Sequence, residues 1–223
     1  MALETDLQIK FGTILSSAGS IVTAIAATPS FSFTNNQING LNLAGNVMQA
    51  GGNGLVADTE TEVLPAASDL LKAAGNIVII SGLFGFIEQI KQQRLFITGN
   101  WLQAEGGFLA AFTTPIDLSP KVKSFVVTGN LLQGIGNSLQ ALGIADNLED
   151  LIDSAAQFPH FDYTYNSMSS PPNSKGISKG TELLFIGSWL QAIGTVLTVI
   201  ALFLPQEQTE EDSNKEKNNS MPK

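Results

Sequence analysis

Glycine recurs seven residues apart along most of this chain, and no other feature limits its fold as strongly. An eleven-residue phrase occurs six times: GTILSSAGSIV from Gly12, GNVMQAGGNGL from Gly45, GNIVIISGLFG from Gly75, GNWLQAEGGFL from Gly99, GNLLQGIGNSL from Gly129 and GSWLQAIGTVL from Gly187. The shared order is Gly, Asn/Ser/Thr, an apolar residue, Leu/Met/Val, commonly Gln, a small residue, any residue and Gly again. Random placement of 21 glycines in 223 residues would give about two pairs at that spacing. The six phrases together with Gly136–Gly143 already supply seven. The repeat is therefore a property of the fold and not of composition.

Copies begin 33, 30, 24, 30 and 58 residues apart. A spacing near 30 suits a helix of about 20 residues plus a connection. The expected architecture is all-α: six helices near 8–28, 38–57, 66–90, 94–113, 121–144 and 181–204, forming one helical repeat domain over residues 1–204. Thr28-Pro29, Thr114-Pro115 and Leu204-Pro205 stop helices, because proline lacks the N–H donor and restricts the residue before it. The long last gap reads as a seventh unit between 145 and 182 that has decayed or been replaced. Within it, Asp146 to Gln157 has the pattern of a further short amphipathic helix, and Phe158 to Gly180 reads as a polar, aromatic loop.

On a helix, residues seven apart lie about 20° from alignment. The two glycines of each phrase thus share a face: Gly12 with Gly19, Gly45 with Gly52, Gly75 with Gly82, Gly99 with Gly106, Gly129 with Gly136 and Gly187 with Gly194. Each mid-helix glycine costs roughly 0.8–1 kcal/mol relative to alanine. A dozen of them demand an offset, and close approach of a neighbouring backbone supplies one, a device favoured where helices meet in lipid. Gln49, Gln103, Gln133 and Gln191 fall about 40° from the glycine line, with Asn46, Asn76, Asn100 and Asn130 about 100° round. Such amides either bond across a close helix contact, pinning register, or line a polar lumen.

The opposite face is apolar as well, with Ile14, Val47, Ile77, Trp101, Leu131 and Trp189 at the third repeat position. A helix apolar on both faces is buried in a large core or faces lipid. Leu183 to Gln206 is a run of 24 uncharged residues, enough to span a bilayer, and residues 11–57, 73–87 and 124–145 carry no charge. Glu105 interrupts the fourth helix, at a cost if it meets lipid alone. With six spans, seven basic residues collect on the N-terminal side and four on the other, which faintly favours cytoplasmic ends.

Only 14% of residues are charged, and the net charge is -9 without any basic run, so nucleic acid is not expected as a partner. Zero cysteines and the lone His160 exclude disulfide scaffolds, thiol catalysis and multi-histidine metal sites. The acidic start (Glu4, Asp6) argues against a cleaved secretory signal. Residues 205–223, with five acids and three lysines, read as a disordered polar tail. His160 beside Asp162, and the acidic runs Asp58–Asp69 and Asp146–Asp153, have the composition of an aromatic loop and of solvated faces; neither run has calcium-loop spacing. No phosphate loop, dinucleotide fingerprint or nucleophile elbow is present. No catalytic, cofactor-binding or metal-binding residue and no cofactor is therefore expected.

The GN-x-LQA-x-G phrase resembles that of uncharacterised repetitive helical proteins of spore-forming Gram-positive bacteria. The likeness covers residues 12 to about 204 and implies no activity. The expectation is a non-enzymatic helical repeat protein, membrane-embedded or membrane-inserting, with the lipid bilayer as partner and self-association through its glycine stripes. The alternatives are a soluble, cytoplasmic self-assembling bundle, and a pore-forming toxin or its immunity-type membrane partner.

Overall fold

The computed structural model describes residues 2–84, 87–157 and 177–205, and every regular element among them is helical. They are α1 (Ala2–Ala26), α2 (Asn35–Ala57), α3 (Val63–Leu83), α4 (Gln89–Phe112), α5 (Pro120–Gln157) and α6 (Lys179–Leu202), with a single 3₁₀ turn at Pro29–Phe31. Helices α1, α4 and α6 end two residues before the Thr28-Pro29, Thr114-Pro115 and Leu204-Pro205 steps. Thr34 opens α2 with a capping box, accepting from Gln37 N while the Gln37 side chain accepts from Thr34 N.

The expected boundaries shift most at two places. The turn between α3 and α4 comes earlier than expected, so that α4 takes in Gln89–Gln93. Residues Asp146–Gln157 are no separate helix but the continuation of α5, which runs for 38 residues. Their apolar spacing stays in phase with that of the preceding turns, and nothing between Gly143 and Asn147 breaks the hydrogen-bond ladder. The extra turns of α5 therefore occupy the start of the interval assigned to a decayed unit. The rest of the interval, with His160, and the tail from 206 onward lie outside the described residues.

Each helix packs on its chain neighbours, and α6 returns to α1, closing a ring. The glycines set its tightest seams. A Cβ at Gly19 would lie 2.5 Å from Gly45 O, and one at Gly12 would lie 2.7 Å from Gly52 O. In the third hairpin, Gly129 meets Gly194 and Gly136 meets Gly187, with hypothetical Cβ-to-carbonyl distances of 2.7 and 2.5 Å. Partner numbers fall as residue numbers rise, so the paired helices are antiparallel. The middle hairpin is offset by one heptad: Gly99 meets Gly75, Gly106 meets Ser68, and Gly82 faces the ring of Phe96 instead of a glycine.

That offset puts the three hairpins in equivalent register. Taking the crossings Gly19·Gly45, Gly75·Gly99 and Gly136·Gly187 as equivalent, Ser20, Asn76 and Asn137 occupy one position, and Gln49, Gln103 and Gln191 another. The ring is three αα-hairpins placed side by side.

Burial across the ring is inverted relative to a protein folded in water. Among the described residues, 24 polar or charged side chains are buried against 15 hydrophobic ones, nine of which are alanine. Meanwhile 23 large hydrophobic side chains are exposed, among them Phe11, Ile77, Trp101, Ile135 and Ile193 in the middle of the helices. A small apolar cluster, Ile79, Phe96, Ile144 and Leu184, sits toward one end. Helices α1, α3 and α6 are long and apolar enough to cross a membrane.

Candidate functional site

The buried amides and hydroxyls surround two cavities on the ring axis. The larger, about 410 Å³, reaches from Gln49, Gln103, Gln140 and Gln191 to the α1–α2 connection at Thr28–Phe33, and all six helices contribute to its wall. The smaller, about 240 Å³, reaches from Gln133 and Thr195 to the opposite end at Thr113–Pro115 and Glu60, again with all six helices lining it. No residue lines both. Between them lie Ser20, Asn76 and Asn137, the three polar members of the most deeply buried side chains.

Gln191 holds this level together. Its Nε2 donates to Gln49 Oε1 at 2.7 Å and to Gln103 Oε1 at 3.2 Å, while its Oε1 accepts from Gln140 Nε2 at 2.9 Å. One side chain of α6 thereby bonds α2, α4 and α5. Ser20 Oγ and Thr195 Oγ1 share a hydrogen bond of 2.6 Å across the α1–α6 seam, and Trp189 Nε1 donates to Thr28 Oγ1 at 3.0 Å across the same seam. Networks of this kind rigidify a buried polar level when their members are satisfied. Asn76 Oδ1 is the exception, buried with no partner.

The amides expected to bridge helices therefore divide. Gln49, Gln103 and Gln191 bond across the ring. Asn46, Asn76 and Asn100 instead donate to carbonyls four residues back in their own helices, Asn42 O, Lys72 O and Phe96 O, each at 2.8 Å. At about 100° from the glycine line these short side chains reach their own preceding turn more readily than a neighbour. Gln133 Nε2 bonds Asn130 Oδ1 within α5 at 3.3 Å.

Ser20, Asn137, Gln140 and Thr195 belong to the same level and escape a reading centred on the first half of each phrase, since Ser20, Asn137 and Thr195 stand at the ninth position and Gln140 just beyond a phrase. Their signal lies one heptad away: Ser20 and Asn137 follow the phrase glycines Gly12 and Gly129 by eight residues, whereas Asn76 follows Gly75 by one. Two further close approaches involve glycines outside the six phrase pairs, the first off the stripe and the second continuing it by one heptad. Gly107 faces Gly134 between α4 and α5, and Gly143 faces Gly180 between α5 and α6.

Among the described residues, charge enters only the smaller cavity, where Asp69 and Lys72 line the wall as an ion pair at 2.5 Å. Glu60 is exposed at its mouth, yet partial desolvation there, reinforced by Asp69 and Glu62 and opposed by Lys72, raises its carboxyl above the ordinary 4.5. A carboxyl with a raised folded-state pKa destabilises the fold once pH climbs past the unfolded value, and does so fully above the folded one. Glu60→Gln is therefore expected to raise the unfolding temperature at about pH 7 and to have no effect below about pH 4. Thermal unfolding of the two proteins at both pH values checks it, and a gain of equal size at both would contradict the assignment. Among the described residues no three carboxylate or imidazole groups come together as a metal site.

A family model described as a family of unknown function (DUF6944) matches residues 7–199. No curated protein and no solved structure matches the chain.

Proposed function

The chain belongs to that family of unknown function, and we propose that it is a non-enzymatic, membrane-embedded ring of helices with a polar interior. The inverted burial carries this reading. In water, each exposed Leu, Ile or Phe of the outer belt would forgo about 1.5–3 kcal/mol of transfer free energy, which lipid contact recovers. Helices of 21–25 residues rise about 32–38 Å, slightly more than a hydrocarbon core of about 30 Å. The average hydropathy of α2, α4 and α5 is lowered by amides that face inward, so composition understates their outer faces.

The full chain, expressed without detergent, is expected to pellet with membranes and resist carbonate extraction. A monodisperse soluble supernatant would overturn the proposal. One observation favours a second reading in that event: Glu105 is exposed near the middle of α4, on the same outer face as Trp101. In a soluble assembly that carboxylate would stay hydrated while the apolar belts of neighbouring copies covered one another.

A further inference from the structure

We propose that the interior is a gated conduit for small uncharged polar solutes, closed in this conformation by the side chains around Gln191. The inference rests on the membrane-embedded reading. Its basis is the pair of coaxial cavities, each walled by all six helices and each reaching one end of the ring. What separates them is a single level of side chains, not a backbone crossing: Gln191 with its three amide partners, and Ser20 bonded to Thr195. Rotation of one glutamine breaks the bonds to α2, α4 and α5 together, whereas the glycine-packed seams stay closed.

The chemistry of the wall selects the solute. Among the described residues, no ionisable side chain lines the larger cavity. Amide and hydroxyl groups replace the water bonded to a polyol or a urea-like molecule, but offer no full counter-charge to a dehydrated ion. In the smaller cavity, Asp69 and Lys72 neutralise each other, and Glu60 stands at the outer mouth, away from the central level. Asn76 lies between the cavities on the face of α3 that carries Lys72 below and Ile79 above, and its Oδ1 is a buried acceptor without a donor. A solute hydroxyl or amide N–H passing that level supplies the missing donor.

The test uses the full chain in vesicles of phosphatidylcholine and phosphatidylglycerol. Flotation and carbonate resistance establish insertion first, so a chain that fails to insert refutes the membrane reading, and an inserted but inert one refutes the conduit. Stopped-flow light scattering then follows re-swelling in glycerol and in urea, with potassium flux measured in parallel. Gln191→Ala is expected to speed glycerol entry at least about tenfold over the native chain, the rate equivalent of the hydrogen bonds removed, with potassium flux unchanged. Gln103→Ala, which removes a single bond, should give a smaller increase. Inserted Gln191→Ala and Gln103→Ala vesicles that both re-swell at the bare-lipid rate would overturn the proposal, as would potassium passing as fast as glycerol.

Because the chain has no cysteine, single thiols report each cavity without background. Ser188→Cys lines the larger cavity and Ser16→Cys the smaller. With Gln191 intact, a membrane-impermeant maleimide applied to intact cells or to inverted vesicles should label each from one side only, and from opposite sides. Labelling of both from the same side, or of neither from any side, would overturn the conduit.

Discussion

Gly136→Ala is expected to destabilise the protein by about 1–3 kcal/mol or more, although alanine is the better helix former by about 0.8–1 kcal/mol. The added methyl would lie 2.5 Å from Gly187 O and 2.6 Å from Gln191 N, both backbone atoms that a rotamer change cannot move. Relief requires α5 and α6 to separate, which loosens the neighbouring crossings Gly129·Gly194 and Gly143·Gly180 and shifts Gln191 away from its partners. Gly54→Ala supplies the control. Nothing lies within 4 Å of a Cβ there, so the same substitution should stabilise by about 0.5–1 kcal/mol. Thermal unfolding followed by helical circular dichroism in detergent separates the two. Equal stability of the two variants would mean that the seams do not depend on glycine.

Lys72→Met is expected to cost about 3 kcal/mol, because it strips the partner from a carboxylate that is only 13% exposed. Methionine keeps the aliphatic stem, which packs where Gly106 leaves room, so the loss reports charge and not volume. The double variant Asp69→Asn/Lys72→Met should recover most of the stability, since neither buried charge then remains. A double variant no more stable than Lys72→Met alone would show that the stem, not the pair, matters.

The glycine stripe was legible because its period is that of a helix face, and a mid-helix glycine has few other uses at that cost. The all-helical fold followed from it. Hairpin register was not, since it depends on which glycine of one helix meets which of the next. Gly82, a regular member of its phrase, meets Phe96, while Gly107, outside the stripe, meets the backbone of Gly134. The same ambiguity hid the central level. Ser20, Asn76 and Asn137 share a height only once the middle hairpin is shifted by a heptad, and their residue types differ. Side-chain length settled much of the rest: Gln49, Gln103 and Gln191 reach across the ring where Asn46, Asn76 and Asn100 fold back on their own turns.

Five of the six seams join helices consecutive in the chain, and the sixth joins α6 to α1. In kinetic terms, almost every contact is local. Each hairpin can complete before the next is made, and the loop-closure penalty of the whole chain falls on a single event. The bonds Ser20–Thr195 and Trp189–Thr28 belong to that event. They are the clasp of the ring, side-chain hydrogen bonds that tie α1 and the connection after it to α6.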